Sequence, residues 1–182
     1  MSGSSLVRRS LLGAVVALLV PRSASAQPAA PHTAAPHTGG TLEADIGLGV
    51  VAVSAGVGVA RPAVNVGLGA GWWPADNTAI TLRVTDASFG PALNLLFVGP
   101  SIQRWIDPRW WLGAGLGATV VLGDGVFQAG FGVDLRLGHA LSDTVNVSLE
   151  ITPGTFSMRD DGGAFYGQRG VGVGVLVGYQ MP

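Results

Sequence analysis

The chain of 182 residues contains no cysteine, and every one of its ten basic residues is an arginine. Lack of cysteine excludes disulfides, thiol catalysis, iron–sulfur ligation and a lipid-modified cysteine at a mature N-terminus. Charge of either sign is scarce. Charged residues make up 12% of the chain, about half the ~25% of an ordinary soluble domain. With 48% hydrophobic residues as well, a water-exposed surface is hard to build. There is no basic excess either: the formal net charge is -1, which is not the balance of a nucleic-acid-binding protein. Finally, no amphipathic helical period appears after residue 40.

What is present begins with an address. Residues 1–26 carry Arg8, Arg9 and Arg22 and no acid, followed by the apolar run LLGAVVALLV and the small-x-small pattern Ala24-Ser25-Ala26. That is the layout of a cleaved signal peptide, with Gln27 as the expected mature start. The apolar run is about ten residues, too short for a spanning helix, which needs ~20. Arg8-Arg9 loosely resembles a twin-arginine signal, but the Ser or Thr before the pair is missing. Without this segment, eleven acids face seven arginines. Residues 27–40 repeat AAPHT in tandem and close on Gly39-Gly40, a composition expected of a disordered periplasmic linker. His32 and His37 are read as incidental to that duplication; no metal or cofactor is expected.

From 41 to 182 the chain alternates with period two in eight stretches, the pattern of half-buried strands. The C-terminal RGVGVGVLVGYQ shows it most clearly. Val171, Val173, Val175, Val177 and Tyr179 face one way; Gly170, Gly172, Gly174, Leu176 and Gly178 face the other. The sixth stretch opposes Phe127, Phe131, Val133 and Leu135 to Gln128, Gly130, Gly132, Asp134 and Arg136. In LLFVGPSIQRW the outward set is taken as Leu96, Val98, Pro100 and Ile102. Gly123-Asp124-Gly125, WPADNT, IDPRW and ALSDT supply turns.

Alternation alone does not say which face is inside. The small, glycine-rich face suits a narrow eight-stranded interior that only side chains can fill. The apolar face suits lipid. If the chain starts on the periplasmic side, Trp72, Trp73, Trp105, Trp110 and Trp111 all fall at one end, as a membrane-interface belt. The expected fold class is therefore an all-β, eight-stranded, antiparallel up-and-down transmembrane β-barrel. Closure satisfies every backbone polar group, as hydrocarbon requires.

Over residues 41–182 the chain resembles the small eight-stranded outer-membrane barrels of Gram-negative bacteria, the OmpA/OmpX-like proteins. The resemblance rests on strand count, on WPADNT-type turns and on a last alternating strand ending in an aromatic. It implies a cell outer-membrane location, contact with outer-membrane lipid and lipopolysaccharide, and reading of the last strand by the barrel-assembly machinery. The family usually ends on Phe or Trp; here Tyr179 is followed by Gln180-Met181-Pro182.

The lumen is expected to hold a polar network of Glu43, Asp45, Arg83, Asp134, Arg136 and Glu150, with Asn65, Gln103, Gln128 and Asn146 beside it. Buried charges must pair or they cost several kcal/mol each. The stretch PGTFSMRDDGGAFYGQRG is expected to be the longest outer loop, presenting Phe156, Arg159, Asp160, Asp161 and Tyr166. The expected function is a structural or surface-interaction role without catalysis. A narrow gated channel for ions or small solutes is the alternative, and a lipid-modifying enzyme a weaker one. His139 lacks a tight His-x-Ser neighbour, and GLGAG and GAGLGA lack the lysine and following helix of a phosphate loop.

Overall fold

The computed structural model describes residues 37–53, 59–90, 93–123, 126–159 and 165–181. The expected signal peptide, most of the expected linker, Asp124, Gly125, Asp160 and Asp161 lie outside them. Among the described residues every regular element is a strand. They are β1 (Gly39–Val53), β2 (Val59–Ala75), β3 (Thr78–Phe89), β4 (Leu93–Trp105), β5 (Trp110–Gly123), β6 (Val126–Ala140), β7 (Val145–Arg159) and β8 (Phe165–Met181).

Each strand pairs antiparallel with the next, and β8 returns to β1, so the sheet closes into a barrel. Closure runs from Leu42↔Met181 to Val53↔Gly170. The greasy face looks outward. Leu48, Leu82, Leu116, Phe127, Val175 and Val177 are all exposed, while alternating neighbours such as Thr81, Arg83, Gln128 and Leu176 are buried. The outward set of β4 is the expected one, with Leu95 and Phe97 turned inward. A soluble protein rarely exposes a continuous apolar surface of this extent.

The strands are longer than the ten or so residues expected, from 12 in β3 to 17 in β8. The 14 residues of β5, at ~3.3 Å each and tilted by ~40°, rise about 35 Å, more than the ~30 Å of hydrocarbon. The surplus projects past the apolar band.

Short turns close one end. Asp107 Oδ1 accepts hydrogen bonds from the backbone N–H of Arg109 (2.7 Å) and Trp110 (2.8 Å), which caps the turn from β4 to β5. Those two donors hold its carboxyl below the usual carboxylate range. Ser142 plays the same part before β7, its Oγ accepting from Val145 N at 3.0 Å. The strands leave short connections at the other end too: 54–58, 90–92, 124–125 and 160–164. The long outer loop expected at PGTFSMRDDGGAFYGQRG is therefore mostly strand. Pro153 does not stop β7, because its missing N–H falls on the β6 side while the β8 side pairs normally as Pro153↔Val171.

Candidate functional site: a bore closed at three heights

Going inward from the turn end, the first obstruction is aromatic. Trp72 and Trp110 point outward, but Trp73 (7% exposed) and Trp111 (2%) are buried in the bore. Trp105 faces inward with them, paired across the ladder with Trp111. The expected belt of five is thus corrected to two outward and three inward tryptophans. Successive residues on a strand face opposite sides, so neither Trp72-Trp73 nor Trp110-Trp111 can place both rings in lipid. Outside, Trp110 packs on His139 with ring centroids 4.5 Å apart. Inside, Gly138 stands opposite Trp111, and a Cβ there would land on the indole ring. The residues just ahead of β1 join this cluster. His37 stacks on Trp73 at 4.3 Å and lies 5.8 Å from Trp105. Burial over the indoles holds its imidazole below the ordinary value, although Asp143 pulls the other way.

The middle obstruction is ionic. It joins all six charged residues expected in the lumen. Arg83, fully buried, lies at its centre. Its Nη1 is 2.7 Å from Glu43 Oε1 and 2.7 Å from Asp45 Oδ2; its Nη2 is 2.7 Å from Glu150 Oε2; its Nε is 3.5 Å from Asp134 Oδ2. Arg136 lies beside it, with Nη1 3.2 Å from Glu43 Oε2 and Nε 3.3 Å from Asp134 Oδ2. Arg136 Nη2 also donates to Ser101 Oγ at 3.0 Å, and the guanidinium sits 5.3 Å from the Trp111 ring. Glycine makes room for these long side chains: a Cβ on Gly67 would stand 2.7 Å from Arg83 Nη2 and 2.9 Å from Asp45 Oδ2. Towards the turns, Gln103 Nε2 donates to Gln180 Oε1 at 3.0 Å. Gln180 therefore faces the bore, which leaves Tyr179 and Met181 facing out.

Arg136→Ala removes two ion-pair contacts and the bond to Ser101 while Arg83 still serves every acid. The expected loss is about 2 kcal/mol, read as a lower urea midpoint in detergent. An unchanged midpoint would show that Arg136 is dispensable to the network.

The outer obstruction is apolar and was not legible as such. Val51, Ala63, Phe89, Leu95, Val121 and Phe156 form one buried cluster. Phe156, expected in an outer loop, instead plugs the bore from β7 and is 1% exposed. Arg159 and Tyr166, expected beside it, lie in the paired ends of β7 and β8, at Arg159↔Phe165 and Met158↔Tyr166. Between the ionic and apolar levels lies a cavity of ≈ 10 Å³ bordered by Asn65, Thr85, Leu95, Glu150 and Thr152, room for about one water. Outside, at the far rim, Asn94 Nδ2 donates to Asp86 Oδ1 (3.0 Å), Asp86 Oδ2 (2.9 Å) and Ser88 Oγ (3.1 Å). This polar clamp ends the apolar band and was likewise missed. The residues lie on different strands, and only the register shows that they meet.

No protein-family model matches the sequence, and no curated protein sequence does. Solved structures do match. Neisserial surface protein A (NspA) superposes with a TM-score of 0.53 at 16% identity, over 77% of this chain and 96% of that one. Ail, the attachment invasion locus protein of Yersinia pestis, gives 0.56 at 10% identity in its complex with the heparin analogue sucrose octasulfate, over 78% and 99%. The fold is that of the small eight-stranded outer-membrane barrels. A second structure of Ail gives 0.51 at 12% identity, again over 78% of this chain and 99% of that one. At such identities the likeness extends to the fold and no further, so what this barrel does has to be argued from its own residues.

Proposed function

We propose that this chain is an exported outer-membrane barrel with a structural, surface-presenting role, neither catalysing nor conducting. The ionic level carries the reading. Six charged side chains cross the narrow bore, and the most exposed of them, Asp45, is only 8% exposed. An aromatic level and an apolar level close it again on either side. An ion crossing such a bore would have to displace packed side chains at three heights, one of them dry. The tight turns and the linker are assigned to the periplasmic side. Trp72 and Trp110 then anchor the inner interface, and the Asp86–Ser88–Asn94 clamp lies at the outer one. Connections of two to five residues at the outer end favour presentation on the strand rim rather than on long loops. Exported material would be removed to Gln27, and the last strand would be the one read during assembly.

Planar bilayers test this directly. Purified, refolded barrel is expected to give a flat baseline under applied voltage. Steady single-channel steps would move the assignment to a narrow channel. A mass shift of lipid A upon expression would move it to an enzyme. Folding itself is checked by different gel mobility of cold and boiled samples.

A further inference from the structure

Counted as ionised, the four acids of the middle level outnumber its two arginines, which leaves two negative charges in excess. None of the six side chains belongs to a residue more than 8% exposed. Charge so far from water has to be compensated where it stands. The hydrogen bonds show the same imbalance. Asp45 Oδ2, both carboxylate oxygens of Asp134, Asn65 Oδ1 and Asn146 Oδ1 are buried and accept none. Arg83 Nε and Arg136 Nε lack a hydrogen bond as well, but both already lie against Asp134 Oδ2. At this height the bore is short of positive charge and of partners for oxygen.

Immediately outward lies the cavity of ≈ 10 Å³, with room for about one water-sized particle. Four oxygen-bearing side chains face each other across it: Asn65 from β2, Thr85 from β3, and Glu150 and Thr152 from β7. All four residues are more than nine-tenths buried. Gly172 and Gly174 complete the wall from β8. A Cβ on Gly174 would land on the Asn65 amide, so glycine makes the space in which that amide sits. Arg83 Nη2 engages Glu150 through Oε2 (2.7 Å), which leaves Oε1 for a second partner. Asp86 also borders the cavity, but Asn94 Nδ2 holds its carboxylate on the outer wall.

We propose that this cavity binds one small monovalent cation of the sodium class, stripped of its water, between Asn65, Thr85, Glu150 and Thr152. The donor set is all oxygen, which suits a hard cation. The volume excludes a hydrated magnesium ion, which sheds its water reluctantly. Calcium takes about six to eight oxygens, carboxylates among them; here Glu150 alone offers a carboxylate to the bore, and the neighbouring Arg83 opposes a double charge. The two ends of the Asn65 amide have the same shape, so the side chain turns its oxygen to the ion without displacing a neighbour. A single positive charge at this point halves the excess of the ionic level.

The test uses the full mature barrel, refolded into phosphatidylcholine vesicles in the salt under study, because the folded bore is closed. Sodium chloride replaces choline chloride at constant ionic strength and pH; choline is too large for the cavity. The urea midpoint is read by tryptophan fluorescence. The wild-type midpoint is expected to rise with sodium and, past half-saturation, by an equal step for each tenfold increase. Thr85→Val and Thr152→Val each replace a bordering hydroxyl with a methyl and are expected to lose most of that rise. Thr119→Val removes a buried hydroxyl away from the cavity and is expected to keep it. Should neither cavity variant fold, Asn65→Asp, which adds a carboxylate, is expected to move the rise to lower sodium, and an unmoved rise overturns the proposal. Equal wild-type midpoints in sodium and choline overturn it, the cavity then holding water only. A midpoint indifferent to sodium that climbs as pH falls overturns it in favour of a bound proton. A sodium-dependent rise kept in full by both Thr85→Val and Thr152→Val overturns it too, since the ion then acts elsewhere.

Discussion

Arg83→Met is expected to lower the stability of the barrel by about 3–5 kcal/mol, a large part of the 5–15 kcal/mol that holds a typical domain together. The side chain is fully buried and sits within ion-pair distance of four carboxylates on three other strands. Methionine fills much of the volume, so the loss is electrostatic. Four acids remain, with Arg136 in contact with Glu43 and Asp134 only, and Asp45 and Glu150 are left with no arginine within ion-pair distance. The measurement is urea unfolding in phospholipid vesicles, followed by tryptophan fluorescence. A second variant separates charge from packing. Adding Glu43→Gln and Glu150→Gln to Arg83→Met removes two of the stranded charges and is expected to restore a good part of the midpoint. A midpoint equal to wild type in the single variant would mean that the acids do not depend on Arg83.

That the network would exist was legible in the sequence; its centre was not. Alternation places Glu43, Asp45, Arg83, Asp134, Arg136 and Glu150 on the inward face because strand parity is local. Which of them touch depends on the register between strands distant in sequence. Register follows from turn geometry and from the pleat of the whole sheet, so the dominance of Arg83 over Arg136 emerges only in three dimensions. The tryptophans mislead for the opposite reason. Position along the barrel axis alone gathers all five into one belt, whereas parity separates the adjacent pairs. Applied strictly, it turns Trp73 and Trp111 into the bore, and the glycine opposite Trp111 is the sequence signal that room exists. Phe156 was lost because Pro, Gly and Ser around it resemble a loop. In a barrel, glycines on the inward face and a proline with its ring-side edge unpaired are compatible with strand, and β7 runs on to Arg159. His37 had no signal at all: a proline–alanine spacer gives no reason to expect its last histidine on an indole.

The direction of the oily face, on which the membrane reading depends, is tested most sharply at Leu116. It lies midway along β5, 57% exposed on the outer surface, between Trp110 near one interface and Leu122 near the other. In a soluble barrel an arginine at such a site would be neutral or would aid solubility, since exposed surface substitutions usually change stability by less than ~0.5 kcal/mol. In a bilayer the guanidinium would sit near the hydrocarbon midplane, where a lipid-facing arginine on a barrel costs about 2–4 kcal/mol. Leu116→Arg is therefore expected to lower the urea midpoint in vesicles by that amount. In short-chain detergent, where water reaches the wall, the loss is expected to shrink. Leu122→Arg, six residues nearer the head groups, is the control and is expected to lose about 1 kcal/mol or less, because the penalty falls towards the interface. The depth dependence matters more than either value. Core disruption would affect both sites whatever surrounds the barrel, whereas a penalty that is large at Leu116, small at Leu122 and reduced in detergent has lipid as its only cause.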